Sequence, residues 1–206
     1  AASTKVSREH TVTRVAPGLT AIAGGKLTTY RVMGVDAVDH ALGEALAHAH
    51  PSRTENLPLV GAEGYGEMAG RAAQLAAERD WTLARITHLL DRYGDETADI
   101  LGLIDADAEA KDSQRLGEPL AEAPTYLRAE VAWAVTHEHL EDVLLHRVRL
   151  DLSHRDRGLS AAKEILGIMA PLLHWSDNDA AKELASYTER VEQIAAAEAE
   201  ATDADA

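Results

Sequence analysis

The feature that most constrains the fold is a helical spacing of apolar residues that persists over most of the chain. Between Thr82 and Tyr93, for example, apolar side chains recur every three or four residues at Leu83, Ile86 and Leu90. This spacing is typical of amphipathic helices. Thr82 is a candidate N-cap, and strand-like alternation is confined to the first residues of the chain. The sequence therefore predicts a mainly α protein.

Proline, glycine and charge divide the chain into four segments. We expect strands plus a helix over 1–50 and a linker over 51–64, because two prolines and three glycines lie between Pro51 and Gly66. A compact unit of at least five helices and no sheet follows over 65–192. From about 193 the composition is Ala, Glu and Asp, which predicts a disordered acidic tail over 193–206. Within the helical unit the longest helix is predicted from Tyr126 to about Leu152.

A glycine pair lies between a predicted strand and a predicted helix in the first segment. Ser7 to Val15 alternates as a strand, Leu19 to Ala23 is a short apolar run, and Gly24–Gly25 precedes a helix from Thr28 to about Ala49. Such a turn delivers helix N–H groups to an anion or a ring, and the following lysine adds a charge. The sequence matches neither a Walker loop nor a Rossmann fingerprint. An ordinary strand–turn–helix therefore stays open.

The overall charge and the absence of cysteine exclude several functions. The net charge of −15 disfavours nucleic acid or an anionic membrane surface as a direct partner. Zero cysteines exclude disulfides and thiolate metal sites and fit a cytoplasmic protein. His137 and Glu138–His139 resemble a metal cluster, but the second His of a zinc helix is replaced by Glu141. We expect no metal site.

Three stretches carry a resemblance to a known family. SREHTV (Ser7 to Val12), PGLTAIAGGKLTTYRVMGVDAVDHAL (Pro17 to Leu42) and LEDVLLHRVRLDL (Leu140 to Leu152) resemble the C-terminal part of the FAD-dependent, aerobic-type glycerol-3-phosphate dehydrogenases. The resemblance runs in order from about Val6 to about Tyr187, and GGKLTTYR is its most specific piece. The chain departs from the family's RRTR at one point, where HRVR is present.

The resemblance implies a fold and an activity. The helical domain would follow a short strand–Gly-Gly turn–helix remnant of an FAD-binding domain. The whole enzyme would oxidise sn-glycerol 3-phosphate to dihydroxyacetone phosphate and pass electrons through FAD to a quinone or another acceptor. The family's glycine-rich FAD-binding start does not occur in this sequence, so we expect a C-terminal fragment that is inactive alone.

The resemblance also implies site residues. Arg8 and Lys26 would bind the substrate phosphate, since a dianion requires cations. The cofactor would contact the glycine turn and the residues after it, namely Gly24, Gly25, Lys26, Leu27, Thr28 and Thr29. No residue is identified as a general base, and no catalytic residue is named.

Several questions about partners stay open at this point. The resemblance implies glycerol 3-phosphate, an electron acceptor such as quinone, and the protein's own N-terminal FAD domain as partners. A homo-oligomer and a peripheral association of the full enzyme with the inner face of the cell membrane are further alternatives. The charged residues of the predicted helix 126–152 fit either an ion-paired face or a surface that docks onto the FAD domain. A stand-alone acidic helical protein-interaction domain without catalysis is the alternative function.

Overall fold

A computed structural model describes residues 9–135 and 138–204, with side chains through residue 200. The chain divides into two compact units, Ala1–Leu59 and Val60–Ala206. In the described part of the chain, helices predominate and the only sheet has two strands. The predicted mainly α fold is confirmed. None of the described helices is both long and apolar enough to cross a bilayer.

The first unit begins with a β-hairpin. Strand β1 (His10–Ala16) pairs with strand β2 (Leu19–Gly24) in antiparallel register, with His10 opposite Gly24 at the open end. Gly18 occupies the turn with a φ of 78°, a value that glycine adopts without steric cost. The strand predicted from Ser7 begins at His10 in the structure, and residues 1–8 lie outside the described part.

The helical part of the first unit is interrupted. A 3₁₀ turn over Leu27–Thr29 leads into helix α1 (Tyr30–Leu42), and helix α2 (Glu44–Ala49) follows. Gly43 separates the two helices with a φ of 83°, so the single helix predicted from Thr28 to Ala49 is divided at this glycine. A further 3₁₀ turn occupies Thr54–Asn56.

The second unit opens with four α-helices. These are α3 (Tyr65–Gly70), α4 (Ala72–Glu78), α5 (Leu83–Tyr93) and α6 (Thr97–Glu109), with a 3₁₀ turn at Gly94–Glu96. The Thr82 hydroxyl accepts a hydrogen bond of 3.3 Å from the Arg85 amide, which confirms the predicted N-cap of α5.

The single long helix predicted from Tyr126 to about Leu152 is wrong. The structure has short pieces: α7 (Arg128–Ala134), α8 (Leu140–Asp142), a π-helical turn (Val143–Arg147) and α9 (Leu150–Ser153). Two carboxylates explain the restarts. Glu130 accepts from the Leu127 amide, and Asp142 accepts from the His139 amide. Each bond satisfies a backbone donor ahead of a new first turn, so the apolar periodicity continues while the helix does not.

The last two helices are long. Helix α10 (Leu159–Leu173) is followed by α11 (Asp177–Ala204), and Ser176 caps the latter by accepting from the Asp179 amide. The sequence predicts disorder over 193–206, whereas the helix continues to Ala204. Ala and Glu are strong helix formers, and Glu198 pairs with Arg157 at 2.6 Å. Composition alone did not reveal this support.

The two units differ in burial. The second unit has a contiguous apolar core that includes Ile86, Leu144 and Ile165, all fully buried. In the first unit no residue among 9–59 is buried. The hairpin and α1 therefore expose much of their apolar surface.

Candidate functional site

The glycine turn is the predicted site, and its backbone is unusual at both glycines. Gly24 has a φ of 85° and Gly25 a φ of 84°, in the region that favours glycine. A Cβ on Gly24 would lie 2.7 Å from the carbonyl oxygen of Glu9, and one on Gly25 would overlap the Met33 sulfur. Gly24 is thus required by the close approach of the Glu9 backbone, and Gly25 is favoured by its positive φ, reasons that the sequence did not reveal.

The residues after the glycines form a closed turn. The Lys26 amide donates to the Thr29 hydroxyl at 3.1 Å, and that hydroxyl donates to the Lys26 carbonyl oxygen at 3.0 Å. The Thr29 side chain therefore closes the turn and does not cap α1. Leu27 and Thr28 are exposed, and Leu27 is 89% exposed. Their amides begin the 3₁₀ turn, where the first N–H groups have no acceptor within the helix.

A shallow groove of about 520 Å³ runs along this turn. Its lining includes Ile22, Tyr30 and Met33 together with the predicted residues Gly24, Gly25, Lys26 and Leu27. Thr28 and Thr29 do not line it. The walls are mostly apolar, and Lys26 is the cation among the lining residues. Such a groove can accept one face of a flat ring beside a negatively charged or polar edge. Arg8, the other predicted substrate ligand, lies outside the described residues.

A buried carboxylate lies in the second unit and was missed by the sequence reasoning. Glu130 is fully buried, and its carboxylate is 2.9 Å from His88 Nε2 and accepts from the Tyr93 hydroxyl at 3.1 Å. Arg92 Nε lies 3.6 Å from the same carboxylate. Burial, then the charge of Glu130, raises the pKa of Tyr93, so this phenol remains a donor. The position of Glu130 three residues after Leu127 was the available signal, because acids at that spacing cap helices.

A second buried carboxylate, Asp151 in α9, joins α11 and the turn before α10. It accepts hydrogen bonds from the Tyr187 hydroxyl at 2.9 Å, from Arg190 at 2.7 Å and from Arg157 at 3.1 Å. Burial opposes its ionisation, but the bonds from Tyr187 and Arg190 lower the pKa of Asp151. No sequence signal distinguishes this residue from a surface aspartate. The network stabilises the packing of α11.

Arg147, the last residue of the π-helical turn, is ion-paired within the second unit. Arg147 pairs with Glu138 at 2.6 Å, and Arg149 has a left-handed backbone with a φ of 58°. Both line a cleft of about 580 Å³ that also contains Arg92 and three carboxylates. Opposite charges therefore balance along this cleft, and the pairing fits the ion-paired face that the sequence left open.

Comparison with known proteins places the chain in a family. A family model described as the C-terminal domain of alpha-glycerophosphate oxidase matches residues 52–180. The chain belongs to this family. The family resemblance read from the sequence is confirmed, and the match covers most of the helical unit.

Similar proteins extend the comparison of this C-terminal-domain family to the first unit. Over 99% of the chain, the sequence is 42% identical to "Glycerol-3-phosphate dehydrogenase" of Mycobacterium leprae and 41% identical to "Glycerol-3-phosphate dehydrogenase 2" of Mycobacterium bovis. It is 31% identical, over 88% of its length, to "Probable glycerol-3-phosphate dehydrogenase, mitochondrial" of Dictyostelium discoideum. The chain spans about a third of the length of these relatives, 34% in the first two and 28% in the third.

Proposed function

We propose that this chain is the C-terminal part of an FAD-dependent glycerol-3-phosphate dehydrogenase. The longer enzyme oxidises sn-glycerol 3-phosphate to dihydroxyacetone phosphate and passes the electrons to a quinone or another acceptor. The observation that carries the proposal is the identity of 41–42% to proteins of that name over 99% of the chain, including the glycine turn. We expect this part of the protein to be inactive alone.

The glycine turn fits one side of the cofactor. The groove has apolar walls for a flat ring, and the amide of Leu27, at the start of the 3₁₀ turn, can donate to a polar ring edge. FAD, when bound, supplies the acceptor for the hydride of the substrate. Gly24, Gly25, Lys26 and Leu27 would line this side. The described residues contain no βαβ unit, which usually holds the pyrophosphate of a dinucleotide, so most of the binding energy falls to the rest of the enzyme.

Lys26 and Arg8 have different electrostatic roles in this proposal. Lys26 lies exposed in the groove and stabilises negative charge that develops beside it in the transition state. Arg8 binds the phosphate of the substrate with paired N–H donors, a contact made equally in the ground state and the transition state. Neither residue serves as a general base here.

Steady-state kinetics of the longer protein tests these roles. Arg8→Ala should mainly raise KM, because uniform binding is lost. Lys26→Ala should lower kcat by roughly 10²-fold, the equivalent of about 3 kcal/mol in the transition state. Arg14→Ala is the matched control, since it removes a cation from the far end of the hairpin, opposite Thr20. A longer protein without glycerol 3-phosphate oxidation refutes the function. An unchanged kcat in Lys26→Ala refutes the assigned role.

The exposed apolar side chains of the first unit support the proposal that another protein surface packs against it. Large apolar side chains that are more than half exposed occur along the hairpin, α1, α2 and the segment after them: Val15, Leu19, Leu27, Tyr30, Val38, Leu46, Leu57 and Leu59. Large exposed apolar surfaces mark sites of protein–protein interaction. The chain spans only a third of its relatives' length. We assign the surface that packs over these side chains to the FAD-binding part of the same enzyme.

Association of two separately expressed parts tests that assignment. The FAD-binding part, mixed with this chain, should form a complex that Val38→Asp weakens by about tenfold or more, since a charge would enter an apolar contact. Leu83→Asp is the control, because Leu83 is 53% exposed on the helical unit and Val38 is 56% exposed. Equal effects of the two variants would remove Val38 from the contact.

A further inference from the structure

A short hydrogen bond ties the hairpin to α1 beside the glycine turn. His10 Nε2 is 2.6 Å from Asp36 Oδ2, and the His10 side chain is only 18% exposed. His10 is the residue opposite Gly24 in the hairpin register. The bond therefore joins the strand end that carries the turn to the helix that follows the turn.

This bond closes a small ring around the site. The ring runs from His10 across the hairpin to Gly24, along the chain through Lys26 into α1, and from Asp36 back to His10. Beside the turn, this bond adds to the backbone of the turn itself and to the packing of Met33 against Gly25. Closing such a ring removes conformational freedom from the segment within it.

We propose that His10 and Asp36 form a positioning pair that holds the backbone of Gly25 and Lys26 in its working geometry. The inference rests on the proposed function for what the turn binds, and on the hydrogen bond and register for how the turn is held. His10 acts through the turn and has no direct chemical step. The pair keeps the Lys26 ammonium at a fixed place, where displacement of a positioned group by about 1 Å can cost a large factor in rate.

A second tie between the hairpin and α1 provides a matched control. Thr20 Oγ1 is 3.4 Å from His40 Nδ1. Thr20 lies in β2, four residues before Gly24, and is opposite Arg14 in the hairpin register. Asp36 and His40 are one helical turn apart in α1, so both hydrogen bonds join the hairpin to the same face of that helix. Only His10 lies at the glycine end. Removal of either hydrogen bond tests the general stability of the unit, whereas only removal of the His10–Asp36 bond tests the geometry of the turn.

Hydrogen exchange in this chain is the first measurement. The Lys26 amide donates to the Thr29 hydroxyl, and the Thr29 amide donates to the Lys26 carbonyl at 3.0 Å, so both report on the turn. His10→Ala should raise their exchange rates by roughly tenfold through local opening. His40→Ala should leave them unchanged. His10→Gln should restore protection, because its amide can donate to Asp36. Equal exchange in all variants would overturn the proposal.

Kinetics of the longer protein is the second measurement. His10→Ala should lower kcat by about tenfold with a smaller change in KM, since a displaced Lys26 loses transition-state contact. His10→Gln should recover most of it, and His40→Ala should keep the parent value. An unchanged kcat with raised exchange would overturn the positioning role. A longer protein with no glycerol 3-phosphate oxidation would refute the proposed function alone, because the exchange result still decides whether His10 holds the turn.

Discussion

Removal of the Asp151 carboxylate should strongly destabilise the helical unit. The side chain is 1% exposed and accepts three hydrogen bonds, two of them from arginines. Its donors keep other partners: Arg157 pairs with Glu198, and Arg190 pairs with Glu141. No arginine is left as an unpaired buried charge, so the cost lies at the lower end of the range for a broken buried pair. We expect Asp151→Ala to lower the free energy of unfolding by about 3 kcal/mol.

Urea denaturation followed by tryptophan fluorescence measures this loss selectively. All three tryptophans, Trp81, Trp133 and Trp175, belong to the second unit. With the usual urea dependence for a unit of this size, the midpoint should fall by roughly 1 to 2 M. Glu198→Gln is the control, because Glu198 is 66% exposed and exposed pairs are worth less than about 1 kcal/mol. Similar midpoint shifts for the two variants would refute the reasoning.

The pH dependence of Asp151→Asn separates charge from shape. Because the folded pKa of Asp151 is lowered, its ionisation contributes stability that is complete above the unfolded value, about 4, and is lost as pH falls through the folded value. The difference in unfolding free energy between the parent and Asp151→Asn should therefore be constant above about pH 5 and should shrink toward pH 3. A difference that does not change with pH would show that the carboxylate charge is unimportant.

Three further predictions concern other parts of the chain. Val143→Asp and Leu144→Asp should each cost on the order of 3 kcal/mol in urea denaturation, since both side chains are fully buried; an unchanged midpoint would contradict this. Hydrogen bonding to Glu183 raises the pKa of His139. The contribution of His139 to the free energy of unfolding is therefore complete below about pH 6 and is lost at higher pH. His139→Ala should make the free energy of unfolding fall less steeply with pH over this range. Isothermal titration of this chain should show no micromolar FAD binding, and a micromolar dissociation constant would refute the proposed division of the cofactor site.

Local signals were sufficient for some elements of the fold. Helix α5 follows its prediction because its cap, its apolar spacing and its terminal glycine all lie within the segment itself. The same apolar spacing failed over 126–152. There Glu130 and Asp142 start new helical turns, and periodicity does not reveal which acid will cap.

Contacts between distant parts of the chain could not be predicted from the sequence. Glu130 is buried because His88 and Tyr93, 42 and 37 residues earlier, satisfy its carboxylate. At the candidate site, the sequence identified the glycine turn. It did not reveal that the Glu9 carbonyl oxygen leaves no room for a Cβ on Gly24. These constraints depend on tertiary packing, which periodicity and spacing do not encode.

Charged residues are distributed unevenly between the two units. Residues 1–59 contain six Lys and Arg against five Asp and Glu, whereas residues 60–206 contain fourteen against thirty. The excess negative charge of the whole chain therefore belongs to the helical unit, which repels a phosphate dianion. The carboxylates buried there, Glu130 and Asp151, are held by internal arginines, tyrosines and a histidine. Of the two units, the first therefore opposes the approach of an anion less, and Lys26 is exposed there beside the glycine turn.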